Sequence, residues 1–221
     1  MSNYDPTEAI ARIDLYRFLS ACHCEPAADF AEEHLFDNMV VAAEQLHPDL
    51  VQHARKLREA FSEQDIETLL VDYTRLFLGP MGALASPYGS SWLASPFTPG
   101  DDAAQPASTV LALYTEGGFD IDPQLGELPD HIAIELEFLY VLTFKIHHAD
   151  NARQREPIQT LKANFLRGHL GPWVGPFSNA VIASGQTTFY RELAAFTARF
   201  IKFELKTSCA NHSTCFTGPG M

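Results

Sequence analysis

Apolar residues recur along most of this chain at the three-and-four spacing of one helical face. No segment shows the clean alternation, bounded by turn residues, that marks a half-buried strand. Asp5-Pro6-Thr7-Glu8 reads as an N-cap, a proline at the first helical position and a capping-box glutamate. Leu15, Phe18, Leu19 and Cys22 then share one face, and Pro26 and Pro48 each look like a further helix start. Ile66, Leu69, Leu70, Tyr73, Leu76 and Phe77 form a second amphipathic stripe. Pro129-Asp130 opens the most hydrophobic helix, whose apolar residues from Ile132 to Phe144 cover nearly every side and so predict burial at the centre of a bundle. The last helix carries Phe189, Leu193, Phe196, Phe200 and Phe203 on one stripe. The pattern predicts an all-α fold, with no internal repeat.

Two segments break the helical rhythm. Leu78 to Asp102 is rich in Gly, Pro, Ser and Ala but holds Tyr88, Trp92 and Phe97. A loop this long inside a domain is usually functional or disordered, and three large aromatics argue against plain disorder. Helical pattern returns from Ala103 to about Glu116 and stops at Gly117-Gly118. The acidic connector that follows, within residues 119–128, interrupts a helical domain of residues 1–206. Residues 207–221 are small and polar and read as a loose tail.

Composition narrows the function classes. The chain has 221 residues, 46% hydrophobic and 19% charged, which is a globular balance rather than a disordered one. A formal net charge of −13 disfavours nucleic acid and anionic lipid and suits a basic partner. The polar, acidic start lacks the pattern of a secretory signal, and the longest apolar stretch, Ile132 to Ile146, is interrupted by Glu135, Glu137 and Lys145. These features place the protein in the cytoplasm with no stable membrane insertion. The four cysteines, Cys22, Cys24, Cys209 and Cys215, do not suggest a disulfide framework there.

Candidate chemistry is sparse. There is no Gly-rich phosphate loop, no nucleophile elbow and no zinc-protease motif, so neither catalysis nor a cofactor is expected. His131 and Glu135, spaced i, i+4, would need His147, His148 or His169 to complete a metal site. Cys209, His212 and Cys215 would need Cys22 and Cys24. Solvated or capping histidines and a loose tail are the simpler readings. Tyr88 and Trp92 are either binding anchors or pins that hold the loop to the bundle. Asp120, Asp122, Glu127, Asp130 and Glu135 gather beside the connector; they either pair with cations or simply solvate it, and Asp130 also reads as a helix cap.

At these residues the chain resembles a known family. Leu70-Val71-Asp72-Tyr73-Thr74-Arg75-Leu76-Phe77-Leu78-Gly79-Pro80, followed by Pro87-Tyr88-Gly89-Ser90-Ser91-Trp92, is similar to the TorD/DmsD/NarJ chaperones of molybdenum-cofactor oxidoreductases. Three further segments agree in the same order: Arg12, Leu15, Tyr16 and Leu19; Glu127-Leu128-Pro129-Asp130-His131-Ile132-Ala133 with Glu135-Leu136; and Phe165, His169, Leu170, Trp173 and Phe177. The resemblance implies an all-helical chaperone that binds the twin-arginine signal peptide of a reductase, and its apo form, until folding and cofactor insertion are complete. It implies two sub-parts, 1–118 and 129–206, joined as by a hinge at 119–128, and a peptide site at Leu76, Phe77, Pro87, Tyr88, Trp92, Pro129, Asp130 and His131, to which helix spacing adds Tyr73 and Glu135 and the acidic cluster adds Glu127. Exchange of halves between two chains is compatible with a two-part bundle. The alternatives are a scaffold that docks only on the mature reductase, and a small helical metal-dependent hydrolase using His131 and Glu135. Relatives with Trp in place of Tyr88 and the Cys-bearing tail are departures from the pattern.

Overall fold

The computed structural model describes residues 5–79, 82–93, 106–121 and 128–213. Within them the chain is all-helical, and its one extended feature is an isolated bridge between Tyr88 and His131. Helix α1 spans Pro6–Cys22, α2 Asp29–Glu32, α3 Leu35–Glu44 and α4 Pro48–Ser62. Helix α5, Ile66–Tyr73, runs on as a π-turn over Thr74–Leu78. Then come the short α6, Ser90–Leu93, and α7, Pro106–Gly117. Helix α8 is Ile132–His148, α9 is Ala152–Phe165 with a second π-turn at Leu166–Leu170, α10 is Gly171–Ser184 and α11 is Thr188–Ser213. No helix among the described residues is long and apolar enough to cross a membrane.

The caps explain most boundaries. Asp5 caps α1 by accepting from the Thr7 N–H, with Pro6 following it as expected. Glu8 does not close a capping box: its carboxylate takes the Arg12 guanidinium at 2.9 Å instead. Pro48 opens α4 behind an N-capping His47, whereas Pro26 opens nothing and the next helix starts at Asp29. Helix α7 ends where Gly118 turns the backbone to φ +58°, and Lys145 Nζ donates to the Gly117 and Gly118 carbonyls at 2.6 and 3.0 Å. A Cβ on Gly117 would lie 2.5 Å from the Phe138 ring, so glycine there also permits close packing on α8. The segment expected to begin a loose tail continues α11 through Ser213. Cys215 lies outside the described residues, as do the side chains of Cys209 and His212.

Helix α8 is the central element. Ile132 to Leu136, Phe138, Leu139, Leu142, Thr143 and Ile146 are buried, and of the stretch expected to be covered only Phe144 is clearly exposed. Helix α1 packs along it, α3 on α1 and α4, and α11 on α4 and α10. One buried cluster therefore draws on residues from both sides of the 119–128 connector. Into this apolar interior the fold sets an ionic group. Glu204 on α11 accepts from Arg12 Nε at 2.9 Å, Tyr16 Oη at 3.0 Å and Lys162 Nζ at 2.7 Å. Burial opposes the Glu204 charge, but the two cations outweigh it and hold its carboxyl below the usual range.

Candidate functional site

The aromatic loop is tied to the start of α8 by its backbone. Ile132 N–H donates to the Pro87 carbonyl and Gly89 N–H to the Asp130 carbonyl, both at 2.8 Å. The Asp130 side chain adds a third tie, its Oδ2 accepting from Ser90 N–H at 2.7 Å. Asp130 thus serves the loop and the start of α6. It does not cap its own helix, as the sequence suggested: His131 does so, with Nδ1 accepting from Ala133 N–H at 3.2 Å. The Asp130 carboxylate is completely buried, and Oδ1 has no hydrogen-bond partner among the described residues. A buried carboxylate oxygen in this position can accept a further donor.

Beneath the loop, Glu135 is wholly buried, with Oε1 2.9 Å from His169 Nε2 and Oε2 accepting from Trp173 Nε1 at 3.3 Å. Burial pushes its carboxyl up to about 7, against the opposing pull of His169 and Trp173. Gly89 lies directly over this pair: a Cβ there would sit 3.0 Å from Trp173 Nε1 and 3.2 Å from Glu135 Oε1. The loop can approach so closely because it has no side chain at that point. His23 lies behind, with Nε2 3.0 Å from Thr197 Oγ1, and burial with the nearby His131 pushes it down to about 3. The interactions of Glu135 and His131 are thus made inside the protein. Among the described residues no group of three or more His, Cys, Asp or Glu is arranged to hold a metal.

The aromatics divide into a buried tier and a partly exposed one. Tyr73, Leu76 and Phe77 are buried; Phe77 packs on Phe177 and Tyr190 with ring centres 6.2 and 5.6 Å apart. Leu76 also accepts the Ala85 N–H through its carbonyl, so this tier carries the loop. Pro87 is buried at the junction. Tyr88, Trp92 and Pro129 remain partly exposed. Tyr88 meets His131 edge-on at 5.3 Å, and Trp92 rests on Phe177 at 6.4 Å while its indole N–H donates to the Ser86 carbonyl at 2.9 Å. Pro129 accepts from Tyr114 Oη at 2.8 Å through its carbonyl. Glu127 lies outside the described residues. His169 and Trp173, which the sequence marked only as part of the C-terminal pattern, underlie the site; their spacing from Glu135 across two helices hides that role.

The model of the nitrate reductase delta subunit family matches residues 43–179, which include the aromatic loop, the start of α8, His169 and Trp173 and make up more than half of the chain. The chain belongs to this family of TorD/DmsD/NarJ chaperones. Among its relatives, the chaperone protein TorD of Vibrio parahaemolyticus is 25% identical over 136 residues, covering 62% of each chain. TorD of Aliivibrio fischeri is 26% identical over 152 residues, 68% of this chain and 69% of that one. TorD of Vibrio vulnificus is 26% identical over 190 residues, 81% of this chain and 86% of that one. In this member of the TorD/DmsD/NarJ family, the loop and the start of α8 are joined through Asp130, over the buried Glu135–His169 pair.

Proposed function

We propose that this protein is a maturation chaperone for a molybdenum-cofactor oxidoreductase and binds the twin-arginine signal peptide of that client in the cytoplasm. The observation that carries the reading is the buried Asp130 carboxylate, whose Oδ1 has no partner among the described residues, together with the partly exposed Tyr88 and Trp92. A twin-arginine signal offers a guanidinium for the carboxylate and an apolar stretch for the aromatics. In this reading the loop over Asp130 lifts, and an arginine replaces Ser90 N–H as its donor. Tyr88, Trp92 and Pro129 meet the peptide, and Glu127 adds charge. Pro87, His131 and Glu135 hold the junction, while Tyr73, Leu76 and Phe77 support the loop from below. Binding to the apo client, and the delay of export until cofactor insertion, follow from occupancy of the signal.

Trp92→Ala is expected to weaken binding of the client's signal peptide by more than about 1 kcal/mol, as for an aromatic anchor. Isothermal titration on the folded variant measures this, and unchanged affinity would reduce the indole to a loop pin.

Asp130 gives a second test. Asp130→Ala removes the acceptor of Ser90 N–H and should lower stability by about 1–3 kcal/mol. Asp130→Asn keeps an oxygen for that bond and should cost less. Both should weaken the native peptide to a similar degree, because guanidinium recognition needs the charge. Neither should matter much for a peptide with its arginines changed to glutamine. If Asp130→Asn binds the native peptide like the wild type, the carboxylate only anchors the loop.

A further inference from the structure

A groove of about 370 Å³ lies between the start of α4 and the C-terminal half of α11, lined by His47, Leu50, Arg199, Lys202, Phe203, Lys206 and Thr207. Among the described residues no carboxylate lines it, although the chain as a whole carries a net charge of −13. Leu50 and Phe203 supply apolar surface. Phe203 has the His47 ring 5.8 Å away and the Arg12 guanidinium 5.6 Å away. Arg199, Lys202 and Lys206 follow one another at i, i+3 and i+7, so their charges run along about 10 Å of one helix face. Arg199 already pairs with Asp49, which stands outside the lining at one end, so Lys202 and Lys206 are the cations left open to a partner. Lys202 and Lys206 are exposed, and no carboxylate among the described residues pairs with them.

We propose that this groove binds an acidic, amphipathic peptide segment of a partner protein, with carboxylates at helical spacing on the cationic row and an apolar side chain on Leu50 and Phe203. Charge complementarity selects this occupant. Over most of its surface the acidic protein repels such a segment, so the basic row fixes where it docks. A twin-arginine signal is itself basic and is repelled here, so the groove is separate from the Asp130 site. Residues 214–221, which follow α11 in sequence, contain no Asp or Glu and lack the charge to fill it. A small inorganic anion would leave the apolar surface uncovered.

The test uses the full-length chain and a labelled helix-forming peptide with glutamates at i, i+3 and i+7 around a phenylalanine, followed by fluorescence anisotropy. The wild type should bind it, binding should fall as salt rises, and the same peptide with glutamine for glutamate should bind at least tenfold more weakly. The Lys202→Glu/Lys206→Glu variant alters two exposed side chains, so its melting curve should match the wild type. It should lose at least tenfold in affinity for the acidic peptide and keep its affinity for the twin-arginine peptide. Equal binding by the charge-reversed variant or by the glutamine peptide would overturn the proposal. So would saturable binding of tripolyphosphate, phosphatidylglycerol vesicles or a peptide of residues 207–221 without binding of the acidic peptide. Failure of the wild type to bind a twin-arginine signal would count against the preceding section alone.

Discussion

Glu204→Ala should destabilise the protein by about 3–5 kcal/mol, because it leaves the buried Lys162 cation without its counter-ion and Arg12 with only the half-exposed Glu8. That is a large share of the roughly 5–15 kcal/mol by which a typical domain is stable. Arg12, Lys162 and Glu204 have side chains 14%, 10% and 3% exposed, so water cannot take over the role of the lost carboxylate. Tyr16 Oη also loses its acceptor. The comparison that separates charge from packing is the triple change Arg12→Met, Lys162→Met, Glu204→Leu, which removes the whole ionic group. It should recover most of the loss, since replacing a complete buried group by apolar side chains is often close to neutral. Urea denaturation of the three proteins measures both differences. A loss below about 1 kcal/mol for Glu204→Ala would mean that water reaches the cations.

The second large effect is a pH dependence at Glu135. Its carboxyl ordinarily titrates near 4.5, and burial raises it to about 7 in the folded protein. Below the lower value both states hold the proton. Between the two, the unfolded chain releases it while the folded one keeps it, so this group's contribution to stability falls as pH rises through that window. The size is on the order of 3 kcal/mol, at about 1.4 kcal/mol per pH unit. His23 acts in the opposite direction: pushed down to about 3, it makes stability rise with pH from there to its ordinary value of 6.5. The measurement is therefore a difference. Unfolding free energies of the wild type minus those of Glu135→Gln, taken from pH 4.5 to 7.5, cancel His23 and should decline with pH. A difference that stays flat or rises would show that the carboxyl is charged throughout.

The helices were legible because burial repeats locally. The stripe of Phe189, Leu193, Phe196 and Phe200 appears in the sequence at its true spacing, and all four are buried. Asp5 and Pro48 mark true helix starts because a cap works within three residues. What stayed hidden depends on distant partners. Arg12 and Tyr16 stood out as a pattern, but their acceptor lies 192 and 188 residues away, and nothing near Glu204 or Lys162 announces the meeting. Asp130 has the side chain of an N-cap in the place of one, yet it serves a backbone N–H 40 residues earlier. Spacing alone also could not separate Tyr73, Leu76 and Phe77, which face inward, from Tyr88 and Trp92, which keep part of their surface outside.

The joining of α1 to α11 through Glu204 also sets a time. As the chain leaves the ribosome, Arg12 and Tyr16 emerge early and Lys162 much later, and all three must wait for α11 before they have an acceptor. Until then the groove that receives α11 on α4 and α10 is open to water. A core closed by α11 completes only after Glu204 has been made, because its deciding contacts join segments far apart in the sequence. The same closing helix carries the basic row at Arg199, Lys202 and Lys206, so the acidic-peptide groove forms with the finished fold and not before it.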